Sequence, residues 1–267
     1  MRVALLQYPI AWADKATNLR QTEERIAALA GKADVAVLPE MFATGFCTDH
    51  PELAETMDGE IMTTLQRIAD QYGIAIVSSF ICLPQPIANS PLPIAKLVNR
   101  GFMVVPQGEV QIQDKRHLYA HGGEDKFFEQ ASERHIFEYK GVKILLLVCY
   151  DLRFPVWARN QSGYDYDIIL VVANWPDIRI QYWDALIAAR ATENQCYIAA
   201  VNCVGDDGMG LHYNGHSVAY DTRLQPIVSF ADDEEGTKIA DFDIAKLHHF
   251  REVLPLWKDV DHFELKK

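Results

Sequence analysis

The period of hydrophobic and polar positions changes several times along the chain, and the changes mark out elements. Arg2 to Tyr8 reads as a strand, and Thr17 to Ala30, with Leu19, Ile26, Ala27 and Leu29 among charged residues, has the spacing of an amphipathic helix closed by Gly31. Ala33 to Leu38 is a short apolar run ending in Pro39-Glu40-Met41. Helical spacing returns over Gly59 to Tyr72, with Ile61, Leu65 and Ile68 on one face and Gly73 as the stop, and Ile74 to Ile81 is strand again. This β-α-β-α-β succession predicts a sheet covered by helices. The prolines of Pro84 to Pro93 predict a loop, Lys96 to Val105 and Glu109 to Asp114 a hairpin about Pro106-Gln107-Gly108, and the aperiodic polar stretch Tyr119 to Glu133 an irregular loop.

The second half repeats the alternation. Ile144 to Val148 are five consecutive apolar residues, too few for an amphipathic helix and suited to a strand buried on both faces. That strand delivers Cys149 to its carboxyl end, with Asp151 placed to cap the next segment and Phe154 to Arg159 expected as the first turns of a helix with proline near its start. Asp165 to Ala173 predicts another buried strand running into Asn174-Trp175-Pro176, Ile180 to Cys196 a helix with Ala185, Ala188 and Ala189 on a small face, and Tyr197 to Val204 a strand. His216 to Ile244 alternates as strands with turns at Asp221-Thr222 and Glu234-Glu235-Gly236, and a short helix with an extended tail, Arg251 to Leu265, finishes the chain. Two sheets back to back with helices outside would bury this set, which predicts an α/β four-layer α-β-β-α sandwich.

Composition narrows the function. No glycine-serine run, low-complexity segment or repeat divides the 267 residues, so one domain over 1–267 is expected, with a C-terminal tail over about 251–267. A formal charge of −12, with no basic cluster longer than Lys115-Arg116-His117, argues against nucleic acid or an anionic membrane as partner and favours a small molecule. The apolar start of the chain is interrupted by Trp12-Ala13-Asp14-Lys15 before a signal core or membrane span could form, so a cytoplasmic location is expected. The five cysteines, an odd number widely spaced in apolar runs, suit reduced thiols, and Cys196 and Cys203 have no companions at zinc-ligand spacing.

Glu40, Lys115 and Cys149 each lie just beyond the end of a predicted strand, the edge at which α/β sheets bind ligands. Taken singly, each has an ordinary reading as an exposed acid, a solvated lysine or an inert buried thiol. Together they supply what acyl transfer through cysteine requires: a base, a nucleophile, and donors for the oxyanion, here Lys115 and the backbone N–H of Tyr150. Glutamate serves as that base only if burial raises its pKa, and a thiol ahead of a helix N-terminus is expected to lean towards thiolate. A Cys-His arrangement competes, with His117, His121, His212 and His216 as candidates. The chain lacks a G-x-S-x-G elbow, a P-loop and a G-x-G-x-x-G after a strand.

The stretches L-P-E-M-F at 38–42, D-K-R-H-L at 114–118, V-C-Y-D-L-R-F-P at 148–155, A-N-W-P at 173–176 and A-A-R-A-T-E-N at 188–194 resemble, in order and spacing, the nitrilase superfamily of carbon-nitrogen hydrolases. The resemblance implies a Glu-Lys-Cys triad at Glu40, Lys115 and Cys149, the four-layer sandwich, no cofactor, and dimers or larger assemblies pairing through helices near the nucleophile. It also implies a second glutamate in the loop before the nucleophile strand, either Glu124 or Glu129, with Glu124 preferred by its place ahead of Phe127-Phe128. C-Y-D-L-R-F-P with A-N-W-P looks most like the ω-amidase branch, which hydrolyses the terminal amide of α-keto dicarboxylic acid monoamides. The substrate implied is therefore a small amide carrying a carboxylate, with Arg153 contacting that carboxylate and Trp175 walling the pocket. N-carbamoyl amines, aliphatic amides and nitriles are the rival substrates within the superfamily, and an idle binding or assembly role is the alternative outside catalysis.

Overall fold

The computed structural model describes residues 1–84, 96–161 and 163–261. The first half comprises β1 (Arg2–Gln7), α1 (Lys15–Ala27), β2 (Val35–Val37), α2 (Glu60–Tyr72), β3 (Ala75–Cys82), β4 (Val98–Val104), β5 (Gln111–Asp114) and the single turn α3 (Glu124–Phe127). There follow β6 (Phe137–Tyr139), β7 (Val142–Val148), the single turn α4 (Pro155–Ala158), β8 (Ile168–Val172), α5 (Ile180–Asn194) and β9 (Tyr197–Val201). The last elements are β10 (Val204–Asp206), β11 (His212–Asn214), β12 (Val218–Tyr220), β13 (Pro226–Ser229), β14 (Gly236–Asp241) and α6 (Ile244–Val253).

Two six-stranded sheets result, in the orders β14-β1-β2-β3-β4-β5 and β13-β12-β9-β8-β7-β6, with β10 and β11 paired separately. Each sheet has three central parallel strands flanked by antiparallel ones. Period-two alternation sorts their apolar residues even where a strand is buried throughout. Val3, Leu5, Val35 and Val77 of one sheet meet Ile144, Leu146, Val148 and Leu170 of the other, while Ala4, Leu6, Ala36 and Ile76 turn to α1 and α2. Leu145, Leu147, Ile169 and Val171 turn to α5 through Trp183 and Ile187. The chain is thus an α-β-β-α sandwich. At Gly101 the first sheet packs tightly on β7: a Cβ there would stand 2.7 Å from the Leu146 side chain and 2.7 Å from the Gln113 carbonyl.

The boundaries follow local chemistry. Helix α1 starts two residues before Thr17 because Asp14 caps it, its carboxylate accepting from the Thr17 N–H at 3.1 Å. Gly73 ends α2 in the left-handed conformation, φ 67°, as its position predicts. The hairpin expected about Pro106 forms, with Arg100 opposite Asp114. Most of the proline-rich stretch, from residue 85 on, lies outside the described residues. Arg251 belongs to α6 instead of a tail: it is buried, pairs with Asp167 at 2.9 Å and donates to the carbonyls of Gln195 and Tyr166, which holds the helix against β8. Among the described residues no helix is long and apolar enough to cross a membrane.

Candidate active site

The carboxyl ends of β2, β7 and β8 lie along one edge, and the turns after them carry Glu40, Cys149 and Asn174. Lys115 comes directly after β5 and is held there by its N–H, which donates to the Asn99 carbonyl of β4 at 2.9 Å. Cys149 has φ 47°, a left-handed conformation that a non-glycine residue takes at a cost of about 1–2 kcal/mol. It opens a 3-10 turn, Cys149–Arg153, that breaks the strand abruptly and presents the thiol at its tip.

Behind the thiol lies a buried charged cluster. Lys115 Nζ is 2.9 Å from Glu40 Oε1 and 2.9 Å from Glu124 Oε2, and all three side chains are wholly inaccessible to solvent. Asn99 Nδ2 donates to Glu40 Oε1 at 2.8 Å and to Glu124 Oε1 at 3.0 Å. Glu40 Oε2 accepts from the Asn174 N–H at 3.1 Å, and Glu124 Oε2 from the Tyr119 N–H at 2.7 Å. Burial alone would push Lys115 towards the neutral amine, but the charges of Glu124 and Glu40, with Cys149 beyond, hold its pKa above the ordinary lysine value, so it stays an ammonium. Burial, and then Glu40, raise the Glu124 pKa against the pull of Lys115. The thiol of Cys149 is pushed well above its usual range by burial and then by the charge of the Glu40 carboxylate, and its Sγ stands 3.9 Å from the Asn174 carbonyl oxygen. The helix N-terminus expected to favour a thiolate is not formed, because the residues after Cys149 make a 3-10 turn and the single turn α4, with little dipole to offer.

Cys149 opens onto a cavity of about 100 Å³ whose wall includes Lys115, Tyr150, Arg153, Trp175 and Arg179. The Arg153 guanidinium stands 4.8 Å from the Trp175 ring and 5.2 Å from that of Tyr182. Arg179 lies over Tyr119. Among the described residues neither arginine has a carboxylate partner, so both charges are free for an anion. The β10–β11 hairpin closes the opposite side with Met209, Leu211 and Tyr213, braced by Asp207, whose carboxylate accepts from the N–H groups of Met209 and Leu211 and from the Tyr213 hydroxyl. Glu40 and Glu124 stay behind this wall.

Of the two acids considered for the second glutamate position, Glu124 reaches Lys115, placed by α3 within the stretch expected to be irregular, whereas Glu129 is exposed. The competing histidines are committed elsewhere: His117 to Asp151 at 2.8 Å, His212 to Asp206 and Asp233, and His216 to Asp184 and Asp232, while His121 is exposed beside Tyr119. Asp151 does not cap forwards. It is fully buried and accepts from the N–H groups of Val148 and His117 and from the His117 ring, tying the Cys149 turn to the Lys115 segment. Asn99 lies in none of the quoted stretches, although an asparagine inside the strand run L-V-N-R-G-F-M is a residue type that strands disfavour and is a signal of its own, and Asn174 lies in A-N-W-P without being read there as a site residue. Among the described residues no three His, Cys, Asp or Glu side chains are grouped to hold a metal ion.

The carbon-nitrogen hydrolase family model matches residues 2–252. An omega-amidase, YafV, of Escherichia coli K12 is 39% identical over 266 residues, covering 99% of this chain and 98% of that protein. A 2-oxoglutaramate amidase of Bacillus subtilis is 30% identical, covering 97% and 96%. Among solved structures, XC1258 of Xanthomonas campestris, a CN-hydrolase superfamily protein with an arsenic adduct in its active site, superposes with a TM-score of 0.93 at 36% identity, covering 100% of this chain and 99% of that one. With motifs, sandwich and matches in agreement, the chain belongs to the carbon-nitrogen hydrolase family of the nitrilase superfamily and is a hydrolase of amide C–N bonds.

Proposed function

We propose that the enzyme cleaves the terminal amide of small ω-amido α-keto acids, 2-oxoglutaramate and 2-oxosuccinamate, to the dicarboxylate and ammonia through a thioester on Cys149. Glu40 accepts the thiol proton as Sγ attacks the amide carbon, and Lys115 with the Tyr150 N–H stabilises the oxyanion. Glu40 returns the proton to the departing nitrogen, which leaves as ammonia. A water then gives a proton to Glu40 and attacks the thioester, releasing the acid and restoring the thiol. Glu124 keeps Lys115 in place, and the substrate carboxylate lies against Arg153, with Trp175 as the wall beside it.

The observation that carries this reading is a thiol on the cavity surface with the buried Glu40 carboxylate and the Lys115 ammonium, 2.9 Å apart, behind it. A thiol held above its usual pKa needs a base at the moment of attack, and Glu40 is the acid adjoining it. The unpaired Arg153 supports an anionic substrate, as do the activities for which the E. coli and B. subtilis relatives are named. Pairing of two copies through the exposed face of α5 at Tyr182, 49% exposed, and the turn before it at Ile178, 64% exposed, belongs to the same proposal.

Ammonia release from 2-oxoglutaramate, an aliphatic nitrile and an N-carbamoyl amine under identical conditions tests the substrate. The keto amide is expected to react fastest, and Arg153→Ala to cost it about 10- to 100-fold in kcat/KM, the worth of a charged hydrogen bond, with a smaller loss on a neutral amide. Preference for the nitrile or carbamoyl compound, or equal losses on charged and neutral amides, would refute the assignment.

A further inference from the structure

Asn99 has an unusual set of partners. Its amide nitrogen carries two hydrogens and places one on Glu40 Oε1 and the other on Glu124 Oε1. Lys115 Nζ bonds the same two oxygens, at 2.9 and 3.0 Å, so two donors and two acceptors alternate around a closed square. The Asn99 main-chain carbonyl meanwhile holds the Lys115 N–H. Asn99 is fully buried, and its side-chain oxygen has no hydrogen-bond partner among the described residues. Leaving a buried acceptor unpaired costs about 1–3 kcal/mol. A flipped amide would not avoid that cost, because the oxygen would then face two carboxylates.

We infer that Asn99 is a positioning residue that holds the Glu40 and Glu124 carboxylates on Lys115 without adding charge, leaving Glu40 Oε2 as the oxygen that exchanges protons with the nucleophile. This rests on the proposed roles of Glu40 and Cys149. When Glu40 takes the thiol proton its charge disappears, and with it most of its attraction to Lys115, at the moment the lysine must stay beside the oxyanion. A neutral amide donor binds a carboxyl oxygen in either protonation state. Oε1 therefore remains engaged, and the proton goes to Oε2, which otherwise accepts from the Asn174 N–H. A second cation at position 99 would hold the acids more strongly but would weaken Glu40 as a base, and a third carboxylate would overload the one ammonium. The charged groups facing this square are Glu40 from the turn after β2, Lys115 after β5, Glu124 from α3 and the Cys149 thiol after β7.

The test is steady-state ammonia release from 2-oxoglutaramate between about pH 5 and pH 9 by wild type, Asn99→Leu, which keeps the volume without donors, Asn99→Ser, which keeps one donor, and Glu40→Gln. For Asn99→Leu the expected result is KM within about twofold of wild type, kcat lower by about 10- to 100-fold, and the acid limb moved upwards by about one pH unit as the carboxylate cluster loses a donor. Asn99→Ser should fall between the two. A loss equal at every pH with an unmoved acid limb, a loss confined to KM, or wild-type behaviour would overturn the inference. If Asn99→Leu lacks the wild-type circular dichroism, the acid limb of Asn99→Ser decides, displacement supporting the inference and coincidence with wild type overturning it. Turnover retained by Glu40→Gln would remove the reading on which the inference stands. An inactive Glu40→Gln with an unmoved limb in Asn99→Ser would remove the inference alone.

Discussion

Replacing Lys115 by methionine keeps the length and packing of the side chain and deletes its charge. In the native site that charge lies 2.9 Å from Glu40 and 2.9 Å from Glu124, with no solvent at any of the three. Breaking a buried ion pair from one side costs about 3–5 kcal/mol, because the partner's desolvation is no longer repaid, and here two acids are left facing one another. Lys115 is the strongest influence holding the Glu124 pKa down, so without it that pKa rises further. A carboxyl whose folded-state pKa lies above its unfolded value favours the fold when neutral; the variant should therefore be most stable at acid pH and lose stability as pH climbs from about 4.5 towards the raised folded value. Urea unfolding at a series of pH values measures this directly. The expectation is a deficit of about 3–5 kcal/mol at neutral pH, shrinking below about pH 5, and largely recovered in Lys115→Met with Glu124→Leu. A Lys115→Met protein within about 1 kcal/mol of wild type, with the same pH dependence, would refute the electrostatic account of the cluster.

Three single features carry expectations of their own. Asp151→Ala strips four hydrogen bonds, one from the Val148 N–H and three that join the Cys149 turn to Arg116 and His117, and should lower stability by about 2–4 kcal/mol in urea unfolding, whereas a loss under about 0.5 kcal/mol would mean the turn holds itself. Asp34 links the start of β1 to the β6–β7 turn: burial opposes its charge, but the bonds from Lys140 and Arg2 hold its pKa well below the ordinary aspartate range. Its contribution is present above about pH 4 and fades as pH falls towards the depressed value. Asp34→Asn should thus cost about 1 kcal/mol at neutral pH and nothing in strong acid; a difference that persists in strong acid would contradict this. Tyr182→Glu on the exposed face of α5 should halve the mass measured by light scattering, and a monomeric wild type would contradict the pairing.

Much of the fold can be read from the sequence, because apolar runs buried on both faces suit central strands, and α1 has its cap at Asp14 and α2 its stop at Gly73. Glu40, Lys115 and Cys149 stand out for the same reason, each being a reactive group just after such a run. The groups that hold them in register do not. Asn99 bonds Glu40 across 59 residues and Asn174 bonds it across 134, and no local pattern encodes a contact at that separation. Helix α3, which presents Glu124, is one turn long and too short for a period to show. The left-handed backbone at Cys149 is invisible in sequence because the residue is not glycine; the conformation is imposed by the strand behind it and by Asp151 reaching back to the Val148 N–H. For the same reason an acid placed like a forward helix cap turns out to tie the turn backwards.

Whether Cys149 carries the acyl group can be seen by mixing the enzyme with 2-oxoglutaramate, quenching in acid within the first turnover, and measuring the mass of the intact protein and of its Cys149 peptide. The expected result is a transient gain equal to the substrate less ammonia, located on Cys149, and no gain and no turnover in Cys149→Ala. Ammonia release by Cys149→Ala, or turnover by the wild type with the acyl group on another residue, would contradict the thioester mechanism.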